Sequence, residues 1–487
     1  MANVLLISPP YVDLYGELNR AAGRYFPLGL GYIASSLRNY GNHAVQMFEP
    51  EAQGLAYADL ARIIKESPPS VLGLTCSTPN FFRALELARI GRENSTAKIV
   101  LGGVHASALP EFIMENYSDL IDCVVVGEGE ITMRELVGAY DDNSDLAKVK
   151  GIVFRRDGKV VRTERRPFIE ELDSIPPPAR DLIPQDLFRP NLHNARYRKC
   201  LPLLTSRGCP YNCTFCASRI VSGKKYRMHS AEYVLEEMEM LKKDYHAQQL
   251  LITDDTFTIH HERLEAICRG MIDRHLDLKW FCFSQVNVVN KEILTLMKKA
   301  GCYSVGFGVE SAEEAILEKM GKPIKPEKAR EAVRAANEIG LKTQAFYIFG
   351  SPGETRSQME HTIEFSKKVG ATLSFFNMLV PYPGTRDFEH YFSGVPLKEI
   401  DWRNFVAVGE ECVLQNSEVP PKEIEELIAQ ANTQYYADPR RLFNLFVHIR
   451  TLYELSNYAR GGIGLLRQVL KWLKKPYGKS ACTGCRA

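Results

Sequence analysis

The sequence predicts an α/β protein with three parts: a doubly wound parallel sheet, a partial barrel of six strand–helix units, and a helical C-terminal part. Up to about residue 390, short apolar runs alternate with longer helical patterns, which is typical of parallel sheets. Beyond that point the pattern becomes helical. At 487 residues the chain suits two or three domains. We predict segments at 1–145, 146–195, 196–390 and 391–487.

Composition sets broad limits on function. Hydrophobic residues make up 45% of the chain, enough for substantial cores, and the net charge of +2 gives no indication of a nucleic-acid partner. The twelve cysteines are scattered, and several lie in apolar runs, as buried thiols do in a reducing compartment. No basic leader precedes the first strand, and no apolar run reaches the ~18 residues of a membrane span. We therefore expect a soluble, cytoplasmic protein.

The N-terminal part alternates predicted strands and helices. The strands lie at residues 4–7, 44–48, 71–75, 98–101 and 123–126. Ligands of such sheets bind at the carboxyl ends of the strands. The candidate binding residues at those ends are Ser8, Cys76, Ser77, Thr78, Gly102, Gly103, His105, Glu128 and Gly129. No G-x-G-x-x-G motif follows the first strand, so a nicotinamide or flavin site is not predicted.

A bridge separates this part from the barrel. Residues 149–154 and 160–163 flank a turn containing Gly158 and predict a β-hairpin. The run Pro176–Pro178 excludes helix and central strand, so it predicts a semi-rigid linker.

Three closely spaced cysteines follow the first predicted barrel strand, residues 201–206. Cys209, Cys213 and Cys216 have the spacing C-x3-C-x2-C, so one loop can direct three thiolates to a common point, with Phe215 as a shield from water. Iron–sulfur clusters usually take four thiolates, so three would leave one iron open to a small molecule. A structural zinc site or buried thiols are the alternatives. Zinc sites usually pair two half-sites, and no second half-site lies nearby.

The later barrel strands are predicted at 249–253, 279–285, 304–309, 342–349 and 372–379. The chemistry of βα barrels lies at the carboxyl ends of their strands. The candidates there are Asp254, Asp255, Ser284, Gln285, Glu310, Gly350 and Tyr382. Helix capping is the alternative role for Asp255, and turn formation is the alternative for the loops of Gly350 and Tyr382.

Helices are predicted at 421–438, 439–457 and 464–475. The last is basic and amphipathic, so it suits peripheral contact with a membrane, or packing against the barrel mouth. Such a part could close over a hydrophobic substrate. The terminal C-x-x-C of Cys482 and Cys485 could bind metal or be redox-active.

The cysteine loop, the segment Gly-Val-Glu-Ser at 308–311 and the segment Pro-Tyr-Pro-Gly-Thr at 381–385 resemble the radical S-adenosylmethionine (SAM) superfamily. The resemblance implies a [4Fe–4S] cluster whose open iron binds SAM, with electron transfer releasing a 5′-deoxyadenosyl radical. It places the pair Asp254–Asp255 at the SAM amino group, Glu310 at the ribose or SAM, and Gly350 at the adenosine. The stretch Ser284–Asn287 departs from the Arg and Asp that relatives commonly carry near Gln285 and Asn287.

The N-terminal part resembles the cobalamin (B12)-binding, Rossmann-like domain in front of many radical SAM enzymes. The matching motifs are Ser-Pro-Pro at 8–10, Pro-Leu-Gly-Leu-Gly-Tyr at 27–32, Gly-Gly-x-His at 102–105 and Gly-Glu-Gly-Glu at 127–130. The resemblance implies that the 76–80 loop faces the ring and that Gly102, Gly103 and Gly129 make room for the nucleotide tail. The Asp-x-His-x-x-Gly loop of mutases is missing, so we expect base-off cobalamin without a histidine on cobalt. A domain that binds no corrinoid, with a structural His105, is the alternative.

This resemblance implies methylation of an unactivated carbon, in which one SAM supplies the methyl group through cobalt and a second supplies the radical. A non-methylating cyclase, a ring-contracting enzyme or a carbon–carbon bond former is the alternative, as is a non-catalytic iron–sulfur or corrinoid carrier. The basic, apolar C-terminus favours a hydrophobic small-molecule substrate such as a lipid, isoprenoid or tetrapyrrole. Flavodoxin or ferredoxin is the expected reductant.

Overall fold

The computed structural model describes residues 1–14, 22–194, 196–406, 412–415 and 417–460. Its N-terminal strands are β1 Asn3–Ile7, β2 Ala44–Phe48, β3 Val71–Thr75, β4 Lys98–Gly102, β5 Cys123–Val125, β6 Ile152–Arg156 and β7 Lys159–Arg162. The helices between them are α1 Leu28–Gly41, α2 Pro50–Gln53, α3 Tyr57–Glu66, α4 Phe81–Asn94, α5 Val104–Ala108, α6 Pro110–Asn116 and α7 Glu130–Asp141.

Within the described residues these strands form one sheet in the order β2-β1-β3-β4-β5-β6-β7. The first five are parallel and largely apolar, because helices cover both faces, and the predicted doubly wound sheet is confirmed. The last two strands are antiparallel. They are the predicted hairpin, which extends this sheet beyond β5, a pairing that the sequence did not predict.

The barrel strands are β8 Cys200–Leu203, β9 Ser206–Arg207, β10 Arg227–Met228, β11 Gln249–Ile252, β12 Lys279–Ser284, β13 Cys302–Glu310, β14 Lys342–Phe349 and β15 Leu373–Met378. The helices that accompany them are α8 Ser218–Ser222, α9 Ala231–Lys243, α10 His261–Asp273, α11 Lys291–Lys299, α12 Glu314–Lys319, α13 Pro326–Glu338, α14 Arg356–Val369 and α15 Arg386–Tyr391.

In the described part of the barrel, six parallel strands follow one another in chain order, β8-β11-β12-β13-β14-β15, which is an open (β/α)6 half-barrel. The first strand is shorter than the predicted 201–206. Beyond its end at Leu203, the backbone N–H of Thr205 donates a 2.6 Å hydrogen bond to the side chain of Asp254. The next residues form β9, which pairs with β10 in a separate two-stranded ribbon.

The linker between the two sheets is packed rather than loose. Arg180 is fully buried in it, donates a 2.6 Å hydrogen bond to the carbonyl of Pro202 and forms an ion pair with Glu237 on α9. The backbone N–H of Ala179 donates to the carbonyl of Gly31 on α1. The linker therefore joins the first sheet to the first strand of the barrel.

The C-terminal helices are α16 Pro421–Tyr436 and α17 Pro439–Val447, and residues 452–460 are helical. The single helix predicted at 439–457 is thus interrupted after Val447. There the chain reaches the barrel, because Arg196 donates to the carbonyl of His448 and Thr451 donates to the carbonyl of Arg196.

These last helices lie at the amino ends of the barrel strands. Glu454 pairs with Arg196 and with Lys342, the first residue of β14. Residues 439–460 therefore close the bottom of the barrel and not its mouth. A cap over the substrate by other residues of the part 391–487 stays a prediction. The predicted helix 464–475 and the Cys482–Cys485 pair lie outside the described residues. None of the described helices is long and apolar enough to cross a membrane.

Candidate functional site

The three-cysteine loop begins directly after β9, at the carboxyl end of the half-barrel. Gly208 sets its direction, with φ of +84°, and a Cβ on this residue would lie 2.3 Å from the carbonyl oxygen of Lys225. No other residue type fits that space without moving the backbone. Cys209, Cys213 and Cys216 follow on the loop, each half-buried and without a disulfide.

Distant parts of the barrel hold the backbone of the loop in place. The N–H of Thr214 donates a 2.8 Å hydrogen bond to the carbonyl of Met320, and its hydroxyl donates to the carboxylate of Asp387. Arg386 donates a 2.7 Å hydrogen bond to the carbonyl of Asn212. Sequence reasoning missed Arg386 and Asp387, although they directly follow the 381–385 segment.

The chemistry of the three thiols fits an iron–sulfur cluster. Burial raises the pKa of Cys213 to about 11 and also raises the pKa of Cys209 and Cys216. Buried thiolates of this kind need a bound cation, and iron supplies that charge. Phe215 lies partly buried against the core beside them, as expected for a shield. In the described chain, no three His, Cys, Asp or Glu side chains are arranged to hold a single metal ion.

The two adjacent carboxylates after β11 have different surroundings. Asp254 is fully buried and accepts hydrogen bonds from the N–H and hydroxyl of Thr205 and the hydroxyl of Ser206, so it fixes the strand end. Asp255 pairs with the hydroxyl of Ser218 beside the cysteines, and burial raises its pKa. A role of Asp254 in SAM contact stays a prediction, but its hydrogen bonds are those of a positioning residue.

The next two strand ends also carry polar side chains. The hydroxyls of Ser284 and Thr258 lie 2.5 Å apart, and the side-chain oxygen of Gln285 is buried without a hydrogen-bond partner among the described residues. Glu310 ends β13 with φ of +63° and forms a buried ion pair with Lys322. Lys322 is a further polar group at the barrel mouth that the sequence did not single out.

The last two strand ends are built around turns. Gly350 has φ of +89°, its N–H donates to the carboxylate of Glu354, and its carbonyl accepts from the hydroxyl of Tyr391. The carbonyl of Tyr382 accepts a 2.6 Å hydrogen bond from the Thr385 hydroxyl. Turn formation, the alternative weighed for both loops, therefore accounts for these contacts, and cofactor contacts of Gly350 and Tyr382 stay predictions.

A cavity of about 330 Å³ lies between the two sheets at their carboxyl ends. Residues of the first sheet and its helices line most of it, including Gly102, Gly103, Glu128 and Gly129. Ser206, Arg207 and Asp255 line it from the barrel side. The cavity thus joins the predicted tail-binding glycines to the residues directly before the cysteine loop.

Three of the glycines that line this cavity leave room for a ligand, whereas an added Cβ on Gly73, Gly103 or Gly129 would lie 2.5–2.7 Å from protein atoms. An added Cβ on Gly29 or Gly127 would meet no atom within 4 Å, and on Gly102 the nearest atom would be 3.9 Å away. Side chains at these positions would project into the empty space. The lining is otherwise mainly apolar, with Leu6, Val100 and Met133 among its residues. This shape fits the nucleotide tail of a corrinoid.

Several predicted corrinoid contacts lie beside this cavity and do not line it. Ser8 is buried, with its N–H bonded to the carbonyl of Phe48, and the N–H of Cys76 donates to the carbonyl of Gly102. Ser77 donates to Asn80 through its N–H and hydroxyl. These hydrogen bonds hold the strand-end loops, and the neighbouring Thr75 lines the cavity instead.

His105 belongs to an aromatic core. It is fully buried, and its Nδ1 lies 3.3 Å from the hydroxyl of Thr78. Its ring packs at a tilt against Phe81 and edge-on against Trp402. Burial lowers its pKa to about 3, so the ring is neutral. These contacts agree with the structural role that was the alternative for this histidine.

Glu128 is engaged by arginines. It accepts hydrogen bonds from Arg207 at 3.0 Å and from Arg227 at 2.8 Å, and Arg207 also donates at 2.6 Å to Glu130. All four side chains are buried. This network joins the 127–130 segment of the first domain to the residue that precedes Gly208, so it couples the corrinoid-side loop to the cysteine loop.

Fold and site together define a two-domain α/β protein in which a doubly wound domain faces a half-barrel with three cysteines at its mouth. The family model of the radical SAM superfamily matches residues 203–366, and that of the B12 binding domain matches residues 18–137. The chain belongs to the radical SAM superfamily, in the family whose members carry an N-terminal B12-binding domain. The predicted fold class and family resemblance are confirmed.

Three similar proteins set this in context. An uncharacterized methyltransferase of Pyrococcus horikoshii is 35% identical over 450 residues, which cover 91% of this chain and 95% of that protein. The anaerobic magnesium-protoporphyrin IX monomethyl ester cyclase of Rubrivivax gelatinosus is 29% identical, over 83% of this chain and 72% of the cyclase. The solved structure of the radical SAM methyltransferase TsrM from Kitasatospora setae, with cobalamin and a [4Fe–4S] cluster bound, has a TM-score of 0.70, 20% identity and coverage of 90% of both chains, and so shares the fold.

Proposed function

We propose that this protein is a cobalamin-dependent radical SAM methyltransferase that methylates an unactivated carbon of a small hydrophobic molecule. The observation that carries the proposal is the cavity shared by the two domains. Its glycine-rich side suits a corrinoid, and its other side is lined by Arg207 and Asp255, next to the three-cysteine loop. The methyltransferase of Pyrococcus horikoshii, which is similar to this chain over 95% of its own length, supports the same activity.

Residues of this chain would hold and isolate the cofactors. With both bound, the cluster supplies an electron for SAM cleavage and the corrinoid carries the methyl group. Cys209, Cys213 and Cys216 would bind three irons. The Thr214–Asp387 hydrogen bond holds this loop to α15. Asp255, held by Ser218, points a carboxylate toward the same space, where it can accept a hydrogen bond from an amino group.

We propose that cobalt is bound base-off, without a protein ligand. Among the described residues that line the cavity, none is a histidine. His105 is enclosed by aromatic rings, and His43 accepts from the N–H of Ala2 at the opposite, amino end of β1. Neither ring faces the glycine-lined space. The absorbance and electron paramagnetic resonance spectra of reduced, cobalamin-loaded protein would report a coordinating nitrogen if one were present.

The activity is tested with anaerobically reconstituted protein, a low-potential reductant and methyl-labelled SAM. A methyltransferase gives both S-adenosylhomocysteine and 5′-deoxyadenosine, with label in the substrate. Cys213→Ala should abolish 5′-deoxyadenosine, whereas Cys412→Ala, which changes a half-buried cysteine outside the loop, should retain it. Wild-type protein that carries a complete cluster and cobalamin but forms neither product with any candidate substrate would contradict the proposal.

A radical cyclase that transfers no methyl group is the second candidate. The similarity to the cyclase of Rubrivivax gelatinosus over 83% of this chain favours it. The same experiment separates the two, because a cyclase forms 5′-deoxyadenosine without S-adenosylhomocysteine and without transfer of the label.

We further propose a lipid, isoprenoid or tetrapyrrole as the substrate, since the cyclase relative is named for a tetrapyrrole, magnesium-protoporphyrin IX monomethyl ester. Flavodoxin or ferredoxin is the proposed electron donor. Peripheral membrane contact through the basic segment 464–475 is proposed from its sequence pattern. Deoxyadenosine yield with each donor, and with extracts of hydrophobic metabolites as substrate, tests the first two assignments.

A further inference from the structure

Helix α17 exposes an apolar surface at the bottom of the barrel. Among the described residues, nine large hydrophobic side chains are exposed, and six of them lie between residues 442 and 455. Phe443 is 69% exposed and Phe446 is 64% exposed, and Leu452 after the break is 85% exposed. Clustered apolar side chains of this size indicate a contact surface, whereas scattered ones are ordinary.

The opposite face of α17 is fixed to the protein. The guanidinium of Arg441 lies 4.1 Å from the centre of the Tyr435 ring and donates a 2.6 Å hydrogen bond to the carbonyl of Lys367. The carboxylate of Asp438 caps the first turn through the N–H of Arg440. The helix is therefore held with Leu442, Phe443, Phe446 and Val447 on one outward face, at the i, i+1, i+4 and i+5 positions.

The region around this face is predominantly basic. Residues 439–460 contain four arginines and one acid, Glu454, which is buried against Arg196 and Lys342. The sequence from 461 to 487 adds six Lys and Arg and no Asp or Glu. The rest of the chain, residues 1–438, has the opposite balance, with 51 Lys and Arg against 58 Asp and Glu. The small total net charge thus conceals an acidic body and a basic end.

We propose that the α17 face, defined as Leu442, Phe443, Phe446, Val447 and Leu452, docks on the surface of a lipid bilayer that carries anionic headgroups. Apolar side chains on one helix face enter the headgroup boundary, and neighbouring arginines bind the negative surface. An apolar face suits the acyl boundary of a bilayer better than the polar surface of nucleic acid, and a second copy docked face to face would bring two basic ends together. The docking extends the membrane contact proposed above for residues 464–475 to a defined face of α17, and it does not depend on the proposed catalytic activity.

The position of the face gives the docked protein an orientation. α17 lies at the amino ends of the barrel strands, whereas the cysteines lie at the carboxyl ends. The bilayer would therefore meet the bottom of the barrel, and the mouth with its cavity would remain on the far side.

The test is flotation of the full-length chain with vesicles of pure phosphatidylcholine and of phosphatidylcholine mixed with phosphatidylglycerol. Binding to the mixed vesicles that weakens with salt is expected. The double variant Phe443→Ser/Phe446→Ser should lower the partition coefficient at least about tenfold, and Arg440→Gln about fivefold. Ile272→Ser and Lys65→Gln change an exposed hydrophobic residue and an exposed lysine elsewhere, and should leave binding unchanged.

Three results would overturn the proposal: no binding to either vesicle, equal binding to both, or mixed-vesicle binding that the double variant retains. Two other molecules could cover this face, a second copy of the chain or its own C-terminal segment. Light scattering and thermal stability measured without lipid distinguish them. A dimer that Phe443→Ser/Phe446→Ser dissociates would identify a second copy. A large loss of thermal stability in this variant would show that the chain's own C-terminal segment covers the face.

Discussion

The hydroxyl of Thr214 donates a 3.1 Å hydrogen bond to the carboxylate of Asp387, although 173 residues separate them in the chain. The N–H of Asp387 also donates to the carbonyl of Thr214 at 3.4 Å. Thr214 lies between the second and third cysteines, and Asp387 lies in the first turn of α15. The position of the cysteine loop therefore depends on a helix at the far end of the barrel.

Replacing Asp387 by alanine should impair assembly of the cluster. The change leaves the buried Thr214 hydroxyl without its acceptor, at a cost of about 1–3 kcal/mol in the unfolding free energy. Iron and sulfide per chain after anaerobic reconstitution should fall. Asp401→Ala removes a carboxylate of the same segment whose partner is the exposed Arg403, and should leave the iron content unchanged. Equal iron in both variants would refute this role of Asp387.

Gly321→Ala should displace the cysteine loop, because the new methyl group would collide with the backbone of that loop. An added Cβ would lie 2.6 Å from the carbonyl oxygen of Asn212, which is within the loop. Gly340→Ala is the matched control, because Gly340 also has a positive φ of +75° but its Cβ would be 3.9 Å from its nearest neighbour. In both variants the left-handed backbone conformation lowers the unfolding free energy by about 1 kcal/mol. Loss of iron is expected in Gly321→Ala alone, and a loss in both would indicate general destabilisation.

Gly29→Leu should exclude cobalamin without unfolding the first domain. The new side chain would enter the cavity, where its Cβ meets no atom within 4 Å. Gly138→Leu on α7 is the control, since it is likewise helical and uncrowded but does not line the cavity. We expect cobalamin affinity to fall at least tenfold, about 1.4 kcal/mol or more, in the first variant and to persist in the second. Cobalt content and the absorbance spectrum measure the outcome.

Glu354 should make the stability of the cofactor-free protein depend on pH. Burial raises the pKa of Glu354 from 4.5 to about 7, so the folded chain keeps a proton that the unfolded chain releases between these values. Its contribution is fully present below pH 4.5 and is lost as the pH rises through 7. Relative to Glu354→Gln, wild-type stability should decline by up to about 3 kcal/mol over this window. Thermal midpoints at pH 5 and 8.5 provide the measurement.

The control for this pH effect is Glu360→Gln, which changes an exposed carboxylate paired with Arg356. Its difference from wild type should be the same at both pH values. Parallel behaviour of the two glutamine variants would mean that Glu354 does not titrate in this range.

The sequence predicted the strands well because their signal is local. The run 71–75 agrees with β3 residue for residue, since a buried parallel strand reads as a continuous apolar stretch. The runs 44–48 and 342–349 likewise agree with β2 and β14. The cysteine site was equally easy to predict, because the spacing of the three cysteines within eight residues itself indicates a cluster. The hairpin strand β6 was also predicted, but its pairing with β5 depends on a neighbour 27 residues earlier and leaves no local trace.

The polar site residues show where local reasoning stops. Asp254 and Asp255 are adjacent, and alternation along the chain places one in the core and the other at the mouth. Glu128 follows a strand end, as a ligand contact does, but Arg207 and Arg227 from the barrel engage it. Such partners lie 79 and 99 residues away. Contacts between such distant residues are identified only in the three-dimensional structure, where the two domains pack together.

The Glu454–Arg196 pair at the bottom of the barrel has a consequence for biosynthesis. The first sheet is complete once residue 162 has left the ribosome, so this domain can fold while synthesis continues. The barrel cannot close at either end until Asp387, and then Glu454, have emerged. The glycine-lined side of the cavity can therefore form before the cysteine loop is held in place, and premature termination before residue 454 would release a folded first domain attached to an unfinished barrel.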